Sequence, residues 1–164
     1  LISQFTRPKV DMQYSHQGLL IRFTDDCLAV LSSQRQIGWR AKEIGGQLFA
    51  RFTSECLEVT VATITKGKSR RTRFGFFPDR TAERADVNSF FKQWLHYLGD
   101  WHTHPQEIPL PSLIDEREMR DIFVKSQHEL AFMLLVIVGT SPMPTGLYVG
   151  AVTSGSVLPL IGHL

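Results

Sequence analysis

Trp101-His102-Thr103-His104-Pro105 leads through a proline-punctuated connection into Ser112-Leu113-Ile114-Asp115. As a pattern this is His-x-His, seven residues, Ser, two residues, Asp. Side chains two apart on a strand share a face, so a strand ending here presents both imidazoles side by side. Ser112 is a good helix N-cap and Asp115 would fall in the first turn, where the dipole favours an acid. A strand delivering a His pair to a capped helix start therefore sets an α+β reading. Two imidazole nitrogens and one carboxylate oxygen suit a single zinc ion. Three protein ligands leave a tetrahedral position for water, which marks a catalytic rather than a structural site. Zinc lowers the pKa of such a water from about 15.7 to about 7. A lone His-x-His is more often a half-buried surface pair, and Ser-x-x-Asp is a helix start in its own right. The capping and ligand readings are compatible, and the joint spacing carries the specificity.

Working outward, residues 112–127 read as an amphipathic helix with Met119, Ile122 and Phe123 inward. Residues 130–138 are nine apolar residues in succession. That is too short to span a bilayer and suits a central strand covered on both faces. Residues 146–152 and 156–160 supply a last strand or two. Upstream of the His pair, Val87, Phe90, Phe91, Trp94, Leu95 and Leu98 recur at helical spacing as one wide apolar stripe. His96 falls off that stripe and reads as a surface residue, not a ligand. Residues 97–104 then form the strand that carries the His pair.

Further back, residues 18–24 read as a strand, and Thr24-Asp25-Asp26 opens a helix running to about Gln36. Cys27, Leu28, Val30 and Leu31 give it an apolar face, with Cys27 as a buried small hydrophobe. Residues 43–53 and 56–65 read as a hairpin joined at Ser54-Glu55; Leu57, Val59 and Val61 alternate with polar neighbours. The Gly45-Gly46 pair signals a close backbone approach. By residue type alone, Glu43 is not distinguished from Glu55, Asp100, Glu107 or Glu116. Residues 66–80 run from basic residues into Phe74, Phe76 and Phe77. They read either as a solvated loop whose aromatics return to the core or as a surface stacking nucleic-acid bases. His16 and His128 read as structural or exposed.

At 164 residues and 43% hydrophobic, the chain suits one compact domain, residues 1–164, with a substantial core. A net charge of +2 is too small to imply nucleic acid or a membrane surface. Cys27 and Cys56 make neither a disulfide framework nor a Cys-rich zinc site, so a reducing cytoplasmic setting is expected. Residues 1–10 carry no apolar signal core, and with no initiator Met the native start need not be present.

His102-Thr103-His104, seven residues, then Ser112-Leu113-Ile114-Asp115 resembles the JAMM signature of the JAB/MPN metallopeptidases. That signature also asks for an upstream Glu-x-Gly-Gly, which Glu43-Ile44-Gly45-Gly46 matches. The resemblance covers about residues 20–150 and implies a cytidine-deaminase-like fold: a mixed, mostly antiparallel sheet with helices packed on it. Absence of Pro-Cys-x-x-Cys argues against deamination itself. The resemblance implies one zinc on His102, His104 and Asp115, Glu43 as general base, and Ser112 as donor to the developing oxyanion. It further implies cleavage of an isopeptide bond between a ubiquitin-like C-terminus and a lysine. The size is similar to compact prokaryotic members, among them the deconjugating peptidase of bacterial CBASS antiviral operons, which acts on a conjugate of a cGAS-like nucleotidyltransferase. On that reading Arg71, Arg73, Phe74 and Phe76 would hold the modifier, whose extended tail adds as a strand to a sheet edge. A non-catalytic MPN scaffold and a DNA-repair-associated relative are the readings from other classes. The intact ligand set argues against the first; the basic loop is the best support for the second.

Overall fold

The computed structural model describes residues 12–65 and 69–163, with the side chain of Phe76 outside that set. In chain order the elements are β1 (Gln13–His16), β2 (Leu19–Phe23), α1 (Asp25–Ser33), β3 (Gly45–Phe52), β4 (Leu57–Ala62), β5 (Arg70–Thr72) and β6 (Gly75–Phe77). There follow α2 (Arg80–Phe91), β7 (His96–Thr103), α3 (Leu113–Lys125), β8 (Met133–Val138), β9 (Leu147–Val152), β10 (Val157–Pro159) and β11 (Gly162–His163). Nine strands form one sheet in the order β10-β9-β8-β7-β3-β4-β2-β1-β11, and β5 pairs with β6 apart from it. Only β2–β4 and β7–β8 are parallel among the described pairings. The fold is α+β with a mixed, mostly antiparallel sheet.

β8 shows why the sheet is covered on both faces. All six of its residues are buried. Leu134, Val136 and Val138 pack with Cys27 and Leu31 of α1. Met133, Leu135 and Ile137 pack with Met119 of α3. The period of two sends alternate side chains into two cores, so a continuous apolar run is needed. α2 shares the face of α3, with Phe90 stacked 4.4 Å from Phe49. Cys27 and Cys56 are both buried free thiols, and burial pushes the Cys27 thiol up to about 12.

Three local readings are corrected. The first helix stops at Ser33 rather than Gln36: the Gln36 amide leaves the helix to donate to the Ala41 and Arg73 carbonyls. The stripe from Val87 to Leu98 is not one helix. α2 ends at Phe91, where the N–H groups of Gln93, Trp94 and Leu95 turn back onto Phe90 and Phe91. Trp94 takes φ +60° and stands 80% exposed, while Leu95 and Leu98 are buried from the connection and from β7. Finally, Phe74 and Phe77 do not return to the core. They belong to the β5–β6 hairpin, with Phe74 78% and Phe77 47% exposed. Arg70 sits over the Phe77 ring at 4.6 Å and Arg73 near the Phe74 ring at 5.5 Å, covering apolar faces with cations. Residues 66–68 lie outside the described set.

Candidate metal centre

β7, α3 and β8 form a crossover between parallel strands. Sites in such units sit beyond the carboxyl ends of the strands, and the end of β7 faces the start of α3. A bulge aims the strand. Leu48 pairs with Gly99 but Phe49 pairs with Tyr97, so Leu98 is an extra residue. Gly99 adopts φ +149°, and a Cβ there would lie 1.9 Å from the Leu134 carbonyl. A one-residue slip reverses which side chains face which core. Asp100, His102 and His104 thereby turn toward α3, and Trp101 joins the core on the α1 side. The Trp101 indole donates to the Thr63 carbonyl at 2.8 Å. Gly46, opposite Trp101 in the ladder, leaves room for that carbonyl: a Cβ there would sit 1.9 Å from it. This is the close approach that the glycine pair signals.

At the end of β7 the Nε2 atoms of His102 and His104 lie 3.0 Å apart. Asp115 Oδ1 is 3.3 Å from His102 Nε2, and Asp115 Oδ2 is 3.5 Å from His104 Nε2. Ligands about 2.0–2.1 Å from a tetrahedral zinc ion stand roughly 3.3–3.4 Å from one another. The two nitrogens and the Asp115 carboxylate, with one ligand atom from each residue within 4.8 Å of the others, could together hold such an ion. Among the described residues this is the one cluster of three or more His, Cys, Asp or Glu side chains able to hold a metal. α3 holds its carboxylate by a capping box: Ser112 N–H donates to Asp115 Oδ2 at 2.7 Å, and Asp115 N–H donates to Ser112 Oγ at 3.1 Å. Burial would raise the Asp115 pKa, but the two imidazoles and the Ser112 N–H hold it well below the usual carboxylate range. Burial would lower that of His104, yet Asp115, Glu43 and Gln106 raise it. The donor set therefore attracts positive charge.

Glu43 precedes β3 and is 5% exposed. Burial pushes its pKa up; His102 and His104 pull it down and Asp115 raises it. It opens on the same cleft as His102, His104, Ser112 and Asp115, a cavity of about 390 Å³. The hairpin residues Phe74, Gly75 and Phe77 form the facing wall. Arg71 and Arg73 stitch that wall to neighbouring backbone. Arg71 donates to the Thr65 carbonyl at 3.1 Å, and Arg73 donates to the carbonyls of Gly38 and Trp39.

The cleft floor holds a cluster that the sequence reading did not assemble. Arg80 Nη1 lies 2.7 Å from Glu83 Oε2 and 3.7 Å from Asp100 Oδ2, while Tyr97 donates to Asp100 Oδ1 at 2.8 Å. Burial first, then the Asp100 charge, pushes the Glu83 pKa up to about 7 against the pull of Arg80. Asp100 could have been found by its two-residue spacing from His102; nothing local marks Glu83. The other histidines stand apart. His96 is half-buried between Phe52 and Phe91. His16 packs edge-on against Phe132, and His128 bonds the Phe123 carbonyl at 2.7 Å. No helix among the described residues is long and apolar enough to cross a membrane.

A family profile described as prokaryotic homologues of the JAB domain matches residues 37–149. A Vibrio cholerae protein named CD-NTase/cGAS isopeptidase is 32% identical over 134 residues, 74% of this chain and 82% of that protein. An Escherichia coli protein of the same name is 34% identical over 88 residues, 52% of this chain and 56% of its own length. A Sinorhizobium fredii protein named as a probable metalloprotease is 33% identical over 93 residues, 51% of this chain and 54% of its length. The matched stretch thus spans about half of the last two proteins. In fold, the chain is similar to a solved protein of Desulfitobacterium hafniense, with TM-score 0.58 and 16% identity over 85% of this chain and 88% of that one.

Proposed function

The chain belongs to the family of prokaryotic JAB-domain homologues, and from that premise we propose that it is a zinc-dependent isopeptidase releasing a ubiquitin-like C-terminus from its conjugate. The observation that carries this reading is the His102–His104–Asp115 triangle with a buried Glu43 opening on the same cleft. When bound, zinc supplies a water acidic enough to react near neutral pH and polarises the scissile carbonyl. His102, His104 and Asp115 would hold the ion. Glu43 takes a proton from the attacking water and returns it to the departing amine; its raised pKa brings it closer to the operating pH of a general base. Ser112 Oγ already accepts the Asp115 N–H, which leaves its own proton free to donate to the developing oxyanion.

For the substrate, the names of the Vibrio and Escherichia relatives support a conjugate of a cGAS-like nucleotidyltransferase, as in CBASS antiviral operons. β6 pairs with β5 on one side, while Gly75 and Phe77 line the cleft. An extended C-terminal tail can add to that strand and run toward the metal. Phe74 covers the tail, and Arg71 and Arg73 support the strand and meet carboxylates on the modifier; the Phe76 side chain lies outside the described residues. The test is a fluorescent lysine peptide joined by an isopeptide bond to the C-terminus of a bacterial cGAS-like nucleotidyltransferase. Intact mass should show both products with free, unmodified ends, and a chelator should stop the reaction. An intact conjugate after incubation with the zinc-loaded protein would leave a binding scaffold as the reading.

A further inference from the structure

Thr103 stands between the two metal ligands in sequence, and it is fully buried. Its N–H donates to the Ile44 carbonyl at 2.8 Å. In an antiparallel pair of this kind the return bond would run from Ile44 N–H to the Thr103 carbonyl. Here the Thr103 hydroxyl takes it instead: Ile44 N–H donates to Thr103 Oγ1 at 3.0 Å. The regular ladder starts only at the next pair, Gly45 with His102. A side chain substituting for a ladder carbonyl lets the backbone leave the sheet while its N–H stays satisfied. The residue at that departure is Glu43, whose own N–H donates to the Thr72 carbonyl at 2.6 Å. Glu43 is thus held at its own amide by the hairpin and one residue later by the strand that bears the metal ligands.

We propose that Thr103 is a positioning residue: its hydroxyl sets the placement of the Glu43 carboxylate relative to the His102–His104 pair. The proposal rests on reading Glu43 as the proton acceptor. Displacing a reacting group by about 1 Å can cost on the order of 10²-fold, so a single backbone bond next to the base has leverage on turnover without touching substrate.

The test compares Thr103→Val, Thr103→Ala and Thr103→Ser, each alone and combined with Glu43→Gln, on the nucleotidyltransferase–lysine-peptide conjugate. Thr103→Val keeps the shape and removes the acceptor; the Ser and Ala pair isolates the hydroxyl should Val fail to fold. Val and Ala are expected to lower kcat about 10–100-fold, with KM nearly unchanged and one zinc per chain retained. Ser should restore turnover. Hydrogen exchange of the Ile44 amide should accelerate in Val and Ala and not in Ser. In the Glu43→Gln background the Thr103 substitutions should add almost nothing, because residues acting through one group are not additive. Undiminished kcat in Thr103→Val or Ala, loss of zinc, or a full additional loss on top of Glu43→Gln overturns the proposal. Failure of the base assignment reads out separately, as a Glu43→Gln protein that turns over like wild type.

Discussion

The cleft has two walls made in different ways. On one side, β7 and α3 present His102, His104 and Asp115 from a strand end and a capped helix start, with Trp101 and Met119 buried behind them. Two of these side chains are oriented by backbone groups: Asp115 by the Ser112 N–H, and His104 through its own N–H bond to the Val138 carbonyl. On the other side, β5–β6 is a short separate hairpin that leaves Phe74 in solvent and Phe77 half exposed, and its arginines grip carbonyls of residues 38, 39 and 65. Groups that must hold a metal within tenths of an ångström need a rigid scaffold. Groups that recognise a protein chain can sit on an exposed edge, where strand addition supplies affinity. On the proposed function, the difference would divide chemistry from recognition between the two walls.

The largest effects should fall on the rigid wall. His102→Ala and Asp115→Ala each remove one of three ligands, so elemental analysis should show the zinc lost and turnover at background. Full activity of a metal-free protein in strong chelator would break the contrast at its root. Glu43→Gln should retain zinc and lose about 10²–10⁴-fold in kcat, the usual range for general acid–base catalysis. Ser112 tests cap and chemistry together. Ser112→Ala should cost about 10²–10³-fold in turnover and about 0.5–2 kcal/mol of stability as a lost N-cap. Ser112→Gly should spare most of the stability and none of the turnover, which thermal melts beside kinetics would separate.

Smaller effects belong to the hairpin. Arg71→Ala, Arg73→Ala and Phe74→Ala should raise KM several-fold for the protein conjugate and leave a short lysine isopeptide nearly unaffected, because they remove binding shared by ground and transition states. Equal losses on both substrates would show that Arg71 and Arg73 serve the folding of the wall and not the docking of a modifier. The smallest effect lies on the floor. The Glu83 pKa is raised from the ordinary 4.5 to about 7. Between those values the folded chain keeps a proton that the unfolded chain gives up. The stabilising contribution is thus fully present below 4.5 and lost as pH rises through 7. Glu83→Gln should raise the melting temperature above pH 7 and change it little near pH 4; a lower melting temperature above pH 7 would mean that the Arg80 pairing, not burial, dominates.

Much of this molecule was legible along the chain. The alternation at Leu57, Val59 and Val61, the apolar run ending at Val138 and the Ser112 cap are local signals, and each became the element it announces. The metal triangle was legible because its spacing, two along a strand and then one capped turn, is itself a geometry. Helix length was less so. The stripe at Val87–Leu98 matches helical spacing throughout, but spacing cannot show where a chain turns back on Phe90 and leaves Trp94 in water.

What the sequence by itself determined is therefore the donor set, the alternation that puts His102 beside His104, and an α+β chain with a doubly covered central strand. Tertiary structure alone decided the rest. The bulge at Leu98–Gly99 depends on the Leu134 carbonyl of β8, 35 residues after Gly99. Without it the alternation that points Tyr97 toward α2 would turn the His pair into the opposite core. Glu43 is one of several carboxylates until the Thr72 carbonyl takes its N–H and the Thr103 hydroxyl takes that of Ile44, beside His102 and His104. Glu83 and Asp100 become neighbours only when α2 docks on β7, and their shared desolvation exists nowhere in either segment alone. Local preference is written into residues close in sequence. Which carboxylate is buried, and against which charge, is fixed by contacts that form only once distant segments pack.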